Sequence, residues 1–552
     1  MNVVISMLNS KYIHSSLAPW YLLAGVREFC DAEISAKVIE STINENCGKT
    51  ADRLVCENAD VYAFCCYIWN IDSVKKIAEE IKRKTGAVIV FGGPEVSYNA
   101  DEILTDNSFV DFVLSGEGEE SFATLCNCIY ENGDFSQVKG LCYRAENKII
   151  VSEPVVSDKE PVSPYCEDYF ASLNGRIAYI EASRGCPFSC AFCLSGRCGK
   201  LVLFDIERVK REIILLAKSG TQTVKFIDRT FNAKTERADE IISFIINNYG
   251  KEIPHNVCFH FEIDGGTLKD STLNLLKSAP VGLFQLEVGL QSFNPDTLRA
   301  VHRNPDTGKL ENTIKELISA GNMHIHADLI AGLPYEDIES FRNSFNRLFE
   351  LKPNMLQLGF LKLLHGSELR EKSDDFSCYY HSGAPYEVIS TDCLSEEDMQ
   401  KIHFAEDAVD RLYNSGRFRK TLEYLIDECH IEPFELFESF GRFTADKSNI
   451  PLDEYISLFY NFFGSKTDKT RLRDMLVCDR LSSNPSGIIP VCLKIPDSRL
   501  KRIKKHLSEN MKLDGKIACA ILYSENRIVY CDYKHKNPVT DNYELSYMEI
   551  DL

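Results

Sequence analysis

Membrane-spanning stretches are missing from this chain: no apolar run in its 552 residues approaches the roughly 20 positions that cross a bilayer. Its start, Met1-Asn2-Val3-Val4-Ile5-Ser6-Met7, has neither a basic leader nor a signal-peptide core, so a cytoplasmic location with no membrane partner is expected. Cysteine crowding is missing too. The 21 cysteines are scattered through a long chain without the density of a secreted disulfide scaffold, which favours a reducing compartment, and most read as plain core residues. Nor is there a surplus of positive charge: 62 Lys and Arg face 82 Asp and Glu, a net charge of −20. Such a mean field repels phosphate, so nucleic acid is not an expected partner, although a local basic groove stays allowed. The clearest basic run, Arg499-Leu500-Lys501-Arg502-Ile503-Lys504-Lys505, reads at helical spacing as a solvated face. With 44% hydrophobic and 26% charged residues, the composition is that of a globular protein, and its length suits about three domains.

What is present centres on one loop, Cys186-Pro187-Phe188-Ser189-Cys190-Ala191-Phe192-Cys193. Three thiols at Cys-x3-Cys-x2-Cys spacing can hold three irons of a cubane cluster and leave the fourth open. The rival is zinc, which normally takes four ligands; Cys198 could complete that set. Against zinc, Tyr179-Ile180-Glu181-Ala182-Ser183-Arg184-Gly185 reads as a strand ending in a glycine loop, as at the mouth of a β/α barrel. The loop resembles the cluster motif of the radical S-adenosylmethionine (SAM) superfamily, including the aromatic residue Phe192 before the last cysteine. That resemblance implies a [4Fe-4S] cluster on Cys186, Cys190 and Cys193. It also implies SAM on the open iron, release of a 5′-deoxyadenosyl radical, and an electron donor such as flavodoxin or ferredoxin.

Residues 1–135 read as repeated βα units. Asp60-Val61-Tyr62-Ala63-Phe64-Cys65-Cys66 is a buried strand, a helix runs from Ser73 to Thr85, and Val88-Ile89-Val90-Phe91 and Phe112-Val113-Leu114 enter glycine loops. Parallel strands with loops at their carboxyl ends make a doubly wound, Rossmann-like sheet whose ligand edge is that end. The glycine loops alone fit an ordinary scaffold equally well. Four loops together resemble the cobalamin-binding domain that precedes many radical SAM cores. They are Ser10-Lys11-Tyr12-Ile13-His14-Ser15-Ser16, Cys66-Tyr67-Ile68-Trp69-Asn70, Gly92-Gly93-Pro94-Glu95 and Gly116-Glu117-Gly118-Glu119. The resemblance implies cobalamin contacts from Ser10, Lys11, Tyr12, His14, Ser15, Ser16, Cys66, Tyr67, Trp69, Gly92, Gly93, Pro94, Glu95, Gly116, Glu117 and Gly118. The Asp-x-His-x-x-Gly cobalt-ligand motif is absent, as it commonly is in these relatives. The implied lower cobalt face is then left to water or a nonligating side chain. His14 suits a hydrogen bond to the corrin periphery or tail, or an ordinary surface role.

Residues 136–176 read as a hairpin around Ala145-Glu146-Asn147, then an extended strap from Ser152 to Pro164. Residues 177–375 alternate strand and helix about six times, which predicts a partial (β/α)6 barrel with polar strand ends at its mouth. Gly289-Leu290-Gln291-Ser292-Phe293-Asn294, Arg303, and Asp328-Leu329-Ile330-Ala331-Gly332-Leu333-Pro334 resemble the oxygen-independent coproporphyrinogen oxidase branch of the superfamily. By that resemblance Gln291 and Asp328 would bond the SAM ribose and Arg303 the methionine carboxylate. An arginine fork suits a carboxylate, and an Asp can accept from a hydroxyl. Asp228 lies where relatives carry an acid near the SAM amino group, with departure from their Gly-Gly-Glu pattern. Glu262 and Glu287 are cofactor or substrate contacts, or structural ion pairs.

Residues 376–552 read as a mainly helical region, with segments Ser395 to Asn414, Arg419 to Asp427 and Leu452 to Phe463. A small β-rich end follows, with a hairpin around Ser524-Glu525-Asn526. The α/β whole points to a cobalamin-dependent radical SAM enzyme acting on a small molecule. In the methyltransferases of that class, cobalamin takes a methyl group from one SAM while a second generates the radical that opens an unactivated carbon. The alternative is oxidation, cyclisation or rearrangement with the same cofactors. Methylthiolation of tRNA lacks its additional cysteine triplet here. From another class, a cobalamin or redox sensor would not need the SAM-holding strand ends. No catalytic residue is assigned.

Overall fold

The computed structural model describes every residue except 31–32, 147, 199, 448, 511–515 and 550–552. Two compact units share the chain. The first comprises 1–278, 299–304 and 360–392; the second comprises 279–298, 305–359 and 393–552.

The first unit opens with β1 (Asn2–Asn9), α1 (Ala18–Phe29), β2 (Ser35–Thr42), α2 (Cys47–Val55), β3 (Val61–Cys65), α3 (Ile71–Thr85), β4 (Val88–Gly92), α4 (Ala100–Asp106), β5 (Phe112–Leu114) and α5 (Glu119–Glu131). The five strands pair in parallel in the order β2-β1-β3-β4-β5. Every residue of β3 is buried, as expected of a strand covered on both faces. Helix α3 stops at Gly86, whose φ of 70° provides the left-handed cap. The predicted hairpin is present as β6 (Leu141–Ala145) and β7 (Lys148–Ile150); Asn147 of its turn lies outside the described residues. It joins the same sheet in antiparallel fashion through β5. Because antiparallel strands need only a tight turn, a segment read as a connector extends the first sheet instead. The stretch beyond it adds a bridge from Val155 to Gly116, with the Glu117 N–H donating to the Val155 carbonyl at 2.9 Å.

After α6 (Glu167–Leu173) come β8 (Ala178–Ile180), the two-residue antiparallel partners β9 (Ser183–Arg184) and β10 (Val202–Leu203), α7 (Ile206–Ala217), β11 (Thr223–Phe226), α8 (Thr235–Asn248), β12 (Cys258–Ile263) and α9 (Asp270–Ser278). Strands β8, β11 and β12 pair in parallel. The alternation continues through β13 (Phe284–Gln291), α10 (Pro295–Ala300), α11 (Gly308–Ala320), β14 (His324–Ala331), α12 (Ile338–Glu350), β15 (Met355–Phe360) and α13 (Glu368–Glu371). In the second unit β13 and β14 pair in parallel. Both bury every second residue, so Phe284, Leu286, Val288 and Leu290 face the core while Gln285, Glu287, Gly289 and Gln291 share the opposite face. The expected series of βα units is therefore present, built on parallel strands.

Strands β16 (Tyr379–Tyr380) and β17 (Val388–Ser390) close the first unit as an antiparallel pair. The rest of the second unit holds α14 (Glu396–Ala408), α15 (Arg419–Glu423), α16 (Pro433–Thr444), α17 (Leu452–Gly464), α18 (Lys469–Ser483), α19 (Arg499–Asn510) and the sheet β18 (Ala518–Leu522), β19 (Arg527–Cys531), β20 (Ser546–Glu549). Ser395 and Asp398 form a capping box at the start of α14, the reciprocal pairing that defines a helix start. The basic run lies on α19 with Lys501, Arg502, Lys504 and Lys505 exposed. Ile503 and Leu507 anchor the opposite face against Ile521, Ile528 and Tyr530, each burial stabilising by about 2 kcal/mol. Among the described residues no helix is long and apolar enough to cross a membrane.

Candidate functional site

The cysteine loop of the first unit is held by its backbone, which leaves its thiols available. Gly185 has φ 92°, and a Cβ there would stand 2.0 Å from the Lys200 carbonyl oxygen, so only glycine admits this entry turn. Ala191, directly after Cys190, is buried. Its N–H donates to the Val301 carbonyl at 3.3 Å, and its carbonyl accepts from the Leu369 N–H at 3.0 Å. The Cys193 N–H closes onto the Cys190 carbonyl at 2.9 Å. Cys186, Cys190, Phe192 and Cys193 are all half-buried. The Cys198 side chain lies outside the described residues.

Arg303 reaches Cys190 Sγ at 3.7 Å through Nη1 and is paired with Asp264 at 3.6 Å. Burial raises the Cys190 thiol, and the guanidinium pulls it back toward the thiolate. Cys186 Sγ lies 3.4 Å from the Thr230 hydroxyl. Among the described residues no three His, Cys, Asp or Glu side chains converge to chelate a single ion. A cubane offers each of the three thiolates its own iron, and the Cys198 side chain that a four-ligand zinc site would add lies outside the described residues. The loop fits the cluster.

Two polar anchors hold the strand leading into this loop. Asp228 is 2% exposed. Its Oδ2 accepts from the Ala182 N–H at 2.9 Å and its Oδ1 from the Ser183 hydroxyl at 2.5 Å. Burial pushes its carboxyl up to about 7 against those two bonds. Arg184 gathers Glu117 at 2.9 Å, Glu119 at 3.0 Å and Glu181 at 2.8 Å, and stands over the Tyr21 ring. Glu117 thus reaches an arginine of the cluster strand, and burial holds its carboxyl above the ordinary range despite that partner.

The carboxyl edge of the first sheet collects the other predicted residues. Asn70, which is buried, donates to the Leu8 and Cys65 carbonyls and accepts from the Tyr67 N–H, joining the ends of β1 and β3. Tyr67 and Trp69 stack with ring centroids 4.4 Å apart; Trp69 is exposed, as are Lys11, Tyr12 and Pro94. Ser10 and Ser16 are half-buried. Ser15 donates to the Ile177 carbonyl at 2.7 Å, and His14 Nδ1 lies 2.8 Å from the Tyr179 hydroxyl. Cys66 packs in the core below; its backbone pairs with Gly92 at 2.7 Å and burial pushes its thiol well up. Gly93 and Gly116 have φ of 116° and 88°, and a Cβ on either would meet backbone at 2.5 or 2.2 Å. A Cβ on Gly118 would meet Leu22 at 3.0 Å. A stacked aromatic pair with Trp69 exposed, beside close-approaching backbone at the ligand edge of a parallel sheet, fits a large planar cofactor.

On β12, Glu262 pairs with Lys225 at 3.5 Å. In the second unit the partly exposed face of β13 sets Glu287 opposite His326 and Gly289 opposite Asp328. Gln291, at φ 75°, folds its amide over Gly289, whose added Cβ would stand 2.4 Å from Nε2. The Gln291 Oε1 is buried without a hydrogen-bond partner, which suits a ligand hydroxyl. The next motif residues serve the fold. Ser292 donates to Glu336 at 2.5 Å, and the Asn294 amide donates to the Tyr335 carbonyl at 3.0 Å. Tyr179 and Arg184 carried an expectation only as strand residues, and Asp264 and Lys225 carried none.

A parallel sheet with an aromatic and glycine edge, and a three-thiol loop opening a run of βα units, define an α/β protein with two candidate cofactor sites. Comparison with known families agrees: residues 3–126 match the B12 binding domain, residues 180–348 the radical SAM superfamily, and residues 374–530 a protein family of unknown function (DUF4080). The chain carries a B12-binding domain followed by a radical SAM domain. Its cofactors are cobalamin, SAM and a [4Fe-4S] cluster.

Among known proteins it is similar to the 2-(S-pantetheinyl)-carbapenam-3-carboxylate methyltransferase of Streptantibioticus cattleyicolor, at 28% identity over 53% of this chain and 45% of that protein. It is also similar to the anaerobic magnesium-protoporphyrin IX monomethyl ester cyclase of Synechocystis sp., at 26% over 43% and 48%. The chain spans about half the length of these curated relatives. The structure of the cobalamin-dependent S-adenosylmethionine radical enzyme OxsB, with aqua-cobalamin and SAM bound, shares the fold at a TM-score of 0.62. That match covers 93% of this chain and 82% of that one, at 13% identity.

Proposed function

We propose that this chain is a cytoplasmic enzyme that transfers a methyl group from SAM to an unactivated carbon of a small molecule, fed by a flavodoxin- or ferredoxin-like reductant. When bound, the cluster, SAM and cobalamin supply reductive cleavage and methyl transfer; the protein supplies position. One observation carries the reading: a cobalamin-type sheet edge and the cysteine loop lie in one compact unit, with His14 of that edge bonded to Tyr179 of β8 at 2.8 Å.

Cys186, Cys190 and Cys193 would hold the cluster, with Arg303 oriented by Asp264 beside Cys190 to bind the methionine carboxylate. Asp228 keeps the cluster strand in place through Ala182 and Ser183. Gln291 and Asp328 would take the SAM ribose. Tyr12, Tyr67 and Trp69 would face the corrin, and Glu262 and Glu287 the substrate side.

The test is anaerobic reconstitution with iron, sulfide and hydroxocobalamin, then turnover with methyl-labelled SAM and a candidate substrate pool. Label is expected in a small-molecule product together with 5′-deoxyadenosine. Cleavage of SAM without methyl transfer to an authentic substrate would sink the methylation reading.

A narrower prediction concerns Gly289. A Cβ there would displace only the flexible end of Gln291, so Gly289→Ala should leave thermal stability nearly unchanged. It should weaken SAM binding roughly tenfold, about 1.4 kcal/mol for one hydrogen bond to a ligand. Equilibrium binding of SAM to the cluster-loaded protein measures this.

A further inference from the structure

We propose that the segment 361–390 joins the cysteine loop to the cobalamin-side loop Gly92-Gly93-Pro94-Glu95, and that Glu95 and Tyr386 are the positioning residues at this joint. The inference rests on the cobalamin reading above and assigns a role to a stretch that begins outside the matched radical SAM residues 180–348.

The segment is a doubled strip. The Leu363 N–H donates to the Tyr386 carbonyl at 3.0 Å, and the Val388 N–H to the Leu361 carbonyl at 2.9 Å. Arg370 stiffens it by donating to the Leu363 carbonyl at 2.6 Å, with its guanidinium 4.8 Å from the Tyr386 ring centroid and 5.3 Å from that of Tyr380. One end holds the cysteine loop: the Leu369 N–H donates to the Ala191 carbonyl at 3.0 Å, Arg197 pairs with Glu371 at 2.6 Å, and Glu368 lies 3.5 Å from His302.

The other end holds the sheet edge. Gly366, at φ 83°, lies flush on the Tyr98 ring, where a Cβ would stand 2.3 Å away. The Tyr386 hydroxyl donates to Glu95. Glu95 is 5% exposed, so its carboxyl has little access to water and Tyr386 is its hydrogen-bonding side-chain partner. His365 packs edge-on against Tyr386 at 5.0 Å. A short strip touching both loops can fix their separation, because Arg370 ties the end at residues 368–371 to the ladder that carries Tyr386.

If the joint sets that separation, cutting it should loosen cobalamin and leave the cluster alone. The experiment titrates hydroxocobalamin into the cluster-loaded full-length protein by visible absorption, alongside iron content, thermal midpoint and the ratio of 5′-deoxyadenosine to methylated product. Tyr386→Phe keeps the ring and removes only the hydroxyl. It is expected to retain iron and SAM cleavage, to bind hydroxocobalamin roughly tenfold more weakly, and to raise the 5′-deoxyadenosine ratio. Glu95→Ala should likewise bind hydroxocobalamin more weakly. Glu95→Gln, whose amide oxygen still accepts from Tyr386, should recover most of the affinity, which a merely structural requirement for charge would not allow.

Unchanged affinity and ratio in both Tyr386→Phe and Glu95→Ala would overturn the joint alone. Parallel loss of iron and cobalamin would overturn it as well, by making the residues general supports. Failure of the unaltered protein to bind hydroxocobalamin would overturn the cobalamin reading and the joint with it.

Discussion

Protein with Cys186, Cys190 and Cys193 all replaced by alanine is expected to lose its iron and sulfide to background and to release no 5′-deoxyadenosine from SAM, yet to fold and to bind hydroxocobalamin as before. The first half follows from ligand chemistry: a cubane held through three thiolates has no protein anchor once they are gone. The second half follows from where the loop gets its shape. Ala191 is tied through its backbone to Val301 and Leu369, the Cys193 N–H closes on the Cys190 carbonyl, and the Ser189 carbonyl meets His302 Nδ1 at 3.1 Å. None of these bonds uses a thiol. The cysteines are half-buried rather than core residues, so alanine leaves no closed cavity. Iron and sulfide assays, a SAM-cleavage assay and a thermal melt of the apo-proteins separate the two halves. Cluster formation undiminished in the triple variant would remove the cluster assignment.

Much of this fold was legible from chain-local pattern. The parallel sheet followed from buried strands running into glycine loops, and Gly93 and Gly116 sit at φ values and backbone approaches that explain why glycine stands there. The alternation of β13, with Gln285, Glu287, Gly289 and Gln291 on one face, is likewise written in its period of two. What escaped is contact between residues far apart in the chain. Glu95 and Tyr386 are separated by 291 positions, and nothing local to either marks the other. Asp264 has no motif of its own and gains meaning only when Arg303 lies beside it. The hairpin β6–β7 was readable as a hairpin. Its union with the first sheet depends on an open edge of β5, which a linear reading does not display. Asp228 carried an expectation from its position after a strand. Its hydrogen bonds run back to Ala182 and Ser183, a destination set by strand pairing.

Arg184→Ala is expected to destabilise the protein by about 3 kcal/mol at neutral pH, because removing one partner of a buried ion cluster leaves the other charges uncompensated. Three carboxylates, Glu117, Glu119 and Glu181, lie within 3.0 Å of its guanidinium, and their side chains are only 19%, 13% and 9% exposed. Screening by water is therefore weak, unlike that of a surface pair. The effect should depend on pH with a definite sign. Burial already holds the Glu117 carboxyl above its ordinary value of 4.5 while Arg184 pulls it down; without the arginine it rises further. The folded variant then binds more protons than the unfolded chain above pH 4.5, so its stability falls as pH rises and recovers as pH drops. The gap between the unaltered protein and the variant should accordingly be smaller at pH 5.5 than at pH 7.5, as read by thermal or urea midpoints. A gap independent of pH would mean that Arg184 acts through packing on Tyr21 and not through its carboxylates. Arg184→Lys discriminates again: an ammonium keeps the charge but lacks the planar fork that reaches several carboxylates at once, so it should restore only part of the stability. Because Arg184 is followed directly by Gly185 and Cys186, the same variants should take up iron more slowly during reconstitution. The charge cluster that docks the cobalamin-side helix α5 onto this strand also steadies the entry to the cysteine loop.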